Sequence, residues 1–188
     1  MLLAVVVLLA IATVPLTGGS LSRLADVRFR APALAIGGLG AQILVVSVFP
    51  DLPGWAAITV HLASYVAVLA FIWRNRSLPG LWLIGLGGLT NLVAIAANGG
   101  VMPASADALR RAGRSATEHG FTNSEVLAHP RLEFLGDVIP LPSWMPFANV
   151  FSVGDVLIAV GMFVLVHGIC RGRRASATSV ASHSPRAH

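Results

Sequence analysis

The chain has 188 residues, 55% of them hydrophobic and only 11% charged, with a mean hydropathy of +0.78. A soluble domain carries about 25% charged residues, so an ordinary cytosolic globule and a largely disordered chain are both excluded. The net charge is +5 and every basic residue is arginine, but the arginines fall mainly at the ends of apolar segments, with Arg110, Arg111, Arg114 and Arg131 in a loop where acids accompany them, which argues for membrane topology and against nucleic acid as a partner.

Five apolar stretches follow in chain order, at about 1–16, 32–49, 55–73, 81–97 and 150–169. About 20 residues are needed to cross about 30 Å of hydrocarbon, so the first and fourth are short and stand upright or borrow flanking residues. A signal peptide is the alternative for the first stretch, but it lacks a basic start and a small-residue cleavage site. The first connection holds Arg23, Arg28 and Arg30, the second only Asp51, and the third Arg74 and Arg76. The tail opens with Arg171, Arg173 and Arg174. Basic and non-basic ends alternate, which places the N-terminus outside and the C-terminus in the cytoplasm. The expectation is an all-α integral membrane protein, a bundle of five transmembrane helices over residues 1–170. One structured external loop spans 98–149, and a disordered cytoplasmic tail spans 171–188. Cys170 is the sole cysteine, so neither an intramolecular disulfide nor a paired-cysteine metal site can form. It reads as apolar filler, with palmitoylation as the alternative.

The external loop is the longest polar stretch. Residues 103–113 read as a short helix capped by Ser105, with Asp107 in its first turn, Arg110 and Arg111 near its end and Gly113 as its stop. The run 134–142 contains Pro140 and Pro142 and reads as an extended, partly buried strap. Trp144 and Phe147 read as interfacial anchors. His119 and His129 accompany Glu118, Glu125 and Glu133, but no pair has the spacing of a helical metal motif, so neither a metal nor a cofactor is expected.

Polar residues inside apolar spans usually face inward. Counted from the outer boundaries, Gln42, His61, Asn91 and Asp155 lie roughly 7–11 Å deep at 1.5 Å per residue. Four spans thus contribute one polar side chain each to one layer. Tyr65 shares a helix face with His61, and His167 stands apart near the inner end. Interhelical hydrogen bonding explains Gln42 and Asn91, helped by small-residue faces at Gly37, Gly38 and Gly40 and at Gly85, Gly87 and Gly88. It explains a carboxylate less easily.

Asp155 falls in Ser152-Val-Gly-Asp155, a capping box, and an acid there also suits the helix dipole. Asp137 follows a glycine and suits a turn. The alternative is chemical. If the strap folds back over the last span, Asp137 and Asp155 share one site, one keeps a proton, and the pair exchanges base and acid roles around a water.

Two resemblances bear on this choice. The stretches 97–103, 135–142 and 150–161 resemble an uncharacterised bacterial membrane-protein family, common in actinobacteria, that is described only as a domain of unknown function. The resemblance implies a several-span inner-membrane protein and supplies no activity. The C-terminal third is also similar to the end of lipoprotein signal peptidase, an aspartyl peptidase of the outer leaflet. Gly136-Asp137-Val138-Ile139 stands where that family has its first aspartate, and Phe151-Ser152-Val153-Gly154-Asp155 where it has its second. The resemblance implies Asp137 and Asp155 as catalytic residues, with Ser152 in place of an asparagine. The chain departs from that family in its span count and in lacking the aspartate and lysine near the first span.

These readings converge on an outer-leaflet polar pocket of Asp137, Asp155, Asn98, Ser152, His61, Asn91 and Gln42. It would serve an aspartyl hydrolase or peptidase acting on a membrane-borne substrate, with Asn98 and Ser152 orienting groups. The alternative is a non-enzymatic accessory or lipid-binding subunit, with an unknown protein partner. A transporter is the third and weakest reading.

Overall fold

A computed structural model of the chain describes residues 2–48, 53–114, 124–145 and 148–172. Helix α1 (Leu2–Thr13) continues into a 3-10 turn at Pro15–Thr17, where Pro15 interrupts the α-helical ladder. Helix α2 (Pro32–Ile43) starts on a proline and ends in a π-turn at Leu44–Val48. Helices α3 (Gly54–Arg74) and α4 (Leu81–Ala97) follow, joined by a short turn that ends on Gly80. Helix α5 (Ala106–Arg111) is short, and α6 (Val153–Arg171) closes the described chain.

Of the apolar helices, α3 and α6, with 21 and 19 residues, are long and apolar enough to cross a membrane. Helices α1, α2 and α4 have 12, 12 and 17 residues, so helix length by itself supports two spans and not five. The protein is mostly helical, and the all-α expectation is corrected by two small sheets. Strand β1 (Met102–Pro103) pairs in parallel with β2 (Ser124–Glu125), and β3 (Asp137–Pro140) pairs antiparallel with β4 (Val150–Ser152). A bridge between Ala104 and Asp137 joins the two sheets. The expected strap is therefore β3: Pro140 and Pro142 deny it a helix, and β-branched Val138 and Ile139 suit a strand. The last span had been expected from residue 150, but 150–152 are strand and the helix begins at Val153. The short loop helix is as expected: Ser105 Oγ accepts from the Ala108 amide at 3.4 Å, Asp107 pairs with Arg110 and Arg111, and Gly113 takes a positive φ of 68°. Its expected first residues are strand and bridge instead. The tail beyond residue 172, Asp51, Glu118, His119 and Phe147 lie outside the described residues.

Successive apolar helices alternate in direction. The Ser20 amide and the Arg23 guanidinium both donate to the Cys170 carbonyl, so α1 and α6 end together. The Asn75 side chain accepts from the Arg30 amide and donates to the Arg30 carbonyl, which ties the start of α2 to the end of α3. Gly80, at the start of α4, lies against the Gly161 carbonyl and Leu165 of α6. One end of the bundle thus gathers Arg23, Arg30, Arg74, Arg76 and Arg171, and the other carries the small sheets.

Helices α4 and α6 pack through glycines. Gly80 faces Gly161 and Gly87 faces Gly154, seven residues apart on both antiparallel helices, and a Cβ at any of the four would strike backbone or buried side-chain atoms. Such close approach is how small residues drive helix association in lipid. Gly38 of α2 meets the Ser64 carbonyl of α3, whereas Gly37 and Gly40 face open space. His167, near the arginine-rich end, is buried. It lies 3.0 Å from Thr13 Oγ1 and 3.2 Å from Thr17 Oγ1, stacked on Phe163.

Candidate functional site

The site forms where β4 turns into α6. Ser152, fully buried, is the N-cap: its Oγ accepts from the Asp155 amide at 2.9 Å, and the Asp155 carboxylate accepts from the Ser152 amide at 3.1 Å. This is the capping box expected from Ser152-Val-Gly-Asp155, and it satisfies amides that a helix start leaves without partners.

Asn91 of α4 completes a ring. Its Nδ2 donates to Asp155 Oδ1 at 3.1 Å, and its Oδ1 accepts from Ser152 Oγ at 2.9 Å. The two side chains meet because Gly154 has no Cβ; one built there would collide with Asn91 Oδ1. A glycine inside the capping box therefore does more than begin a helix. It admits the amide of another helix into the cap.

Asp137 enters from above. It stands opposite Ser152 in the β3–β4 register, and its carbonyl accepts from the Ser105 amide at 3.0 Å. Its Oδ2 accepts from Ser124 Oγ at 2.6 Å. Burial pushes its carboxyl up from 3.8 to about 6, since the charged form is poorly solvated there. The hydrogen bond from Ser124 opposes the rise, and the nearby charge of Asp155 adds to it. Tyr65 of α3 lies within interaction range of Asn91, Asp155 and Asp137, and His61 packs edge-on against it with ring centroids 5.4 Å apart.

Of the residues singled out in the sequence, His61, Asn91, Asp137, Ser152 and Asp155 are thus brought to one end of α3, α4 and α6. Asn98 and Gln42 are not joined to them. Asn98 caps α4: its Nδ2 donates to the carbonyls of Ala94 and Arg131, and its Oδ1 accepts from the Arg131 amide. Its amide is committed to pinning the loop, which leaves it poorly placed to orient a substrate. Gln42 is half-buried on α2, and no described hydrogen bond links it to the ring. The sequence reading did not include Ser124, Tyr65 or Gly154 in the site. Tyr65 was legible by its helical spacing from His61. Ser124 had no signal, because its role depends on a pairing across the loop. Among the described residues no group of three or more histidine, cysteine or acidic side chains is arranged to hold a metal; His129, Glu125 and Glu133 are exposed.

The described fold defines a mostly helical protein of membrane-like composition. Its carboxylate, amide and hydroxyl groups are buried beneath a small β-structured loop. Residues 26–167 match the family of unknown function DUF5317, and the chain belongs to that family. An uncharacterised protein of Thermotoga maritima is 29% identical over 127 residues, covering 66% of this chain and 72% of the relative. No solved structure matches the chain. These matches fit the resemblance to an uncharacterised membrane-protein family and give no support to the likeness to lipoprotein signal peptidase.

Proposed function

We propose that the chain is a five-span protein of the bacterial inner membrane that acts without catalysis of its own. It is a small accessory or lipid-binding subunit whose external loop is pinned to the bundle by the ring at Asp155. The observation that carries the non-enzymatic reading is the commitment of Asp155: one carboxylate oxygen accepts from Asn91 and the other from the Ser152 amide. A dyad that activates water needs a carboxylate oxygen facing that water. Here each oxygen already holds one hydrogen bond of the helix cap, so the carboxylate serves the fold first.

The span count is supported by two further features. Each of the five apolar helices keeps large apolar side chains on its surface, among them Leu8, Ile36, Val66, Leu89 and Val160. Exposure on that scale suits lipid and not water. The helices alternate in direction, and the arginines next to the span ends collect at one end, as the positive-inside rule requires of a cytoplasmic face; Arg110, Arg111, Arg114 and Arg131 lie in the loop at the other end, accompanied by acids. Helices α1 and α2 then span with their 3-10 and π extensions and locally thinned bilayer. The test is labelling of single cysteines by a membrane-impermeant maleimide in a Cys170→Ala background. Ser143→Cys is expected to react from outside intact cells, and Ser22→Cys and Ser77→Cys only after permeabilisation. Ser77→Cys reacting from the same side as Ser143→Cys, as spans at α3 and α6 alone would give, or all three reacting from one side, would overturn five spans.

The second reading is an outer-leaflet aspartyl hydrolase, in which Asp137 and Asp155 share one water. The observation favouring it is the placement of Asp137, buried and opposite Ser152 of the Asp155 cap, where burial first and the Asp155 charge after it raise its carboxyl towards about 6. Proteoliposomes given lipid-modified precursor peptides separate the two. Wild type and Asp137→Ala indistinguishable from empty liposomes supports the accessory reading. Cleavage that is lost in Asp137→Ala and Asp155→Ala overturns it in favour of the hydrolase.

A further inference from the structure

At the arginine-rich end, a cleft of about 470 Å³ is lined by Arg30, Trp73, Arg74, Arg76 and Ser77. Three of the five lining residues are arginines, one is a serine, and none is an acid. Among the described residues both ion pairs belong to Asp107, far off in α5, so none of the three cleft arginines is neutralised by a described carboxylate.

The cleft is built rather than incidental. Asn75 is only 4% exposed, and its side chain bonds the amide and the carbonyl of Arg30 as well as the Phe71 carbonyl. The segment before α2 is thereby fastened to the end of α3, and arginines distant in sequence border one space. The Arg76 guanidinium lies 4.3 Å from the centre of the Trp73 ring, which fixes its plane. Guanidinium forks match the oxygens of phosphate, and a tryptophan beside them suits the headgroup level of a bilayer.

We propose that this cleft binds a phosphate group, either that of an anionic phospholipid or one free in solution. The lipid source rests on the membrane reading above; phosphate recognition does not. The cleft is also separate from the Asp155 ring: Tyr65 stands about 14 Å from the end of α3 by helical rise. Loss of one site therefore leaves the other testable.

The experiment is native mass spectrometry of the full chain, released from micelles doped with phosphatidylglycerol or with phosphatidylcholine. Each sample is run with and without inorganic phosphate as competitor. Wild type is expected to retain phosphatidylglycerol preferentially. Arg30→Gln/Arg74→Gln/Arg76→Gln is expected to lose about a hundredfold in that preference, and Arg76→Gln alone about fivefold. The single variant decides the matter if the triple variant does not fold. Arg110→Gln/Arg111→Gln, in the loop, is expected to behave as wild type. Retention that survives inorganic phosphate identifies the lipid as the source, and displacement at low concentration identifies the free anion. Equal retention of both lipids, or retention unchanged in both cleft variants, together with no binding of inorganic phosphate, would overturn the proposal.

Discussion

Asp137→Asn is expected to stabilise the protein, and only above a defined pH. The Asp137 carboxyl titrates near 3.8 when unfolded and near 6 in the folded protein. The folded state therefore holds this proton more tightly than the unfolded chain does. Below pH 3.8 the residue is protonated in both states and costs nothing. As pH rises from 3.8 towards 6 the unfolded chain releases the proton first, so stability falls. Above pH 6 the cost is complete and constant. The gap corresponds to about 3 kcal/mol at pH 7. Asparagine keeps an oxygen to accept from Ser124 and carries no charge to desolvate, so it removes most of that cost. A chain of this size shifts by about 2–4 °C per kcal/mol, so the melting temperature should rise by roughly 6–12 °C at most. The assay is thermal melting of both proteins in one detergent, from pH 4 to pH 8. The expected difference is near zero at pH 4 and grows to a plateau above pH 6. A mutant that melts lower at pH 8, or a difference that ignores pH, would refute the desolvation argument.

Asp155→Asn should do the opposite: its amide nitrogen must face a donor, either Asn91 Nδ2 or the Ser152 amide, at a cost of about 1–3 kcal/mol. The same melts read this, and a stabilised Asp155→Asn would show that the ring is not what holds the loop. Gly87→Ala places a Cβ against the Gly154 carbonyl and should cost about 1–3 kcal/mol, whereas Gly40→Ala meets open space and should gain about 0.5–1 kcal/mol. Equal melting temperatures for the two would argue against the α4–α6 glycine contact. Asn98→Ala removes three hydrogen bonds at the base of the loop, so limited proteolysis should cut near Arg131 several-fold faster with the bundle intact. Unchanged cleavage would mean that the sheets hold the loop without it.

Much of the local structure was legible from residue order. Apolar runs placed α3 and α4 to within about a residue of their ends. Ser152-Val-Gly-Asp155 announced its capping box and Ser105 its cap, because a cap is a contact over three or four residues of chain. Strand β4 was not legible. Val150 and Phe151 are as apolar as the helix that follows, and only pairing with β3 distinguishes them. Reading depth from span boundaries grouped His61, Asn91 and Asp155, and in the structure Asn91 bonds Asp155 while His61 packs on Tyr65 beside them. It also grouped Gln42, because depth says nothing about which way a helix face is turned.

The sequence by itself determined composition class, helix positions, caps and the alternation of basic ends, since each depends on short-range periodicity or on transfer between water and an apolar medium. Tertiary structure alone decided that Asn91 enters the cap of another helix, that Asp137 sits opposite Ser152 with Ser124 on its carboxylate, and that Arg30 shares a cleft with Arg76. Those contacts depend on how closely two backbones approach. At Gly154 the absence of a single Cβ sets that distance, and its partner is more than sixty residues away in the chain.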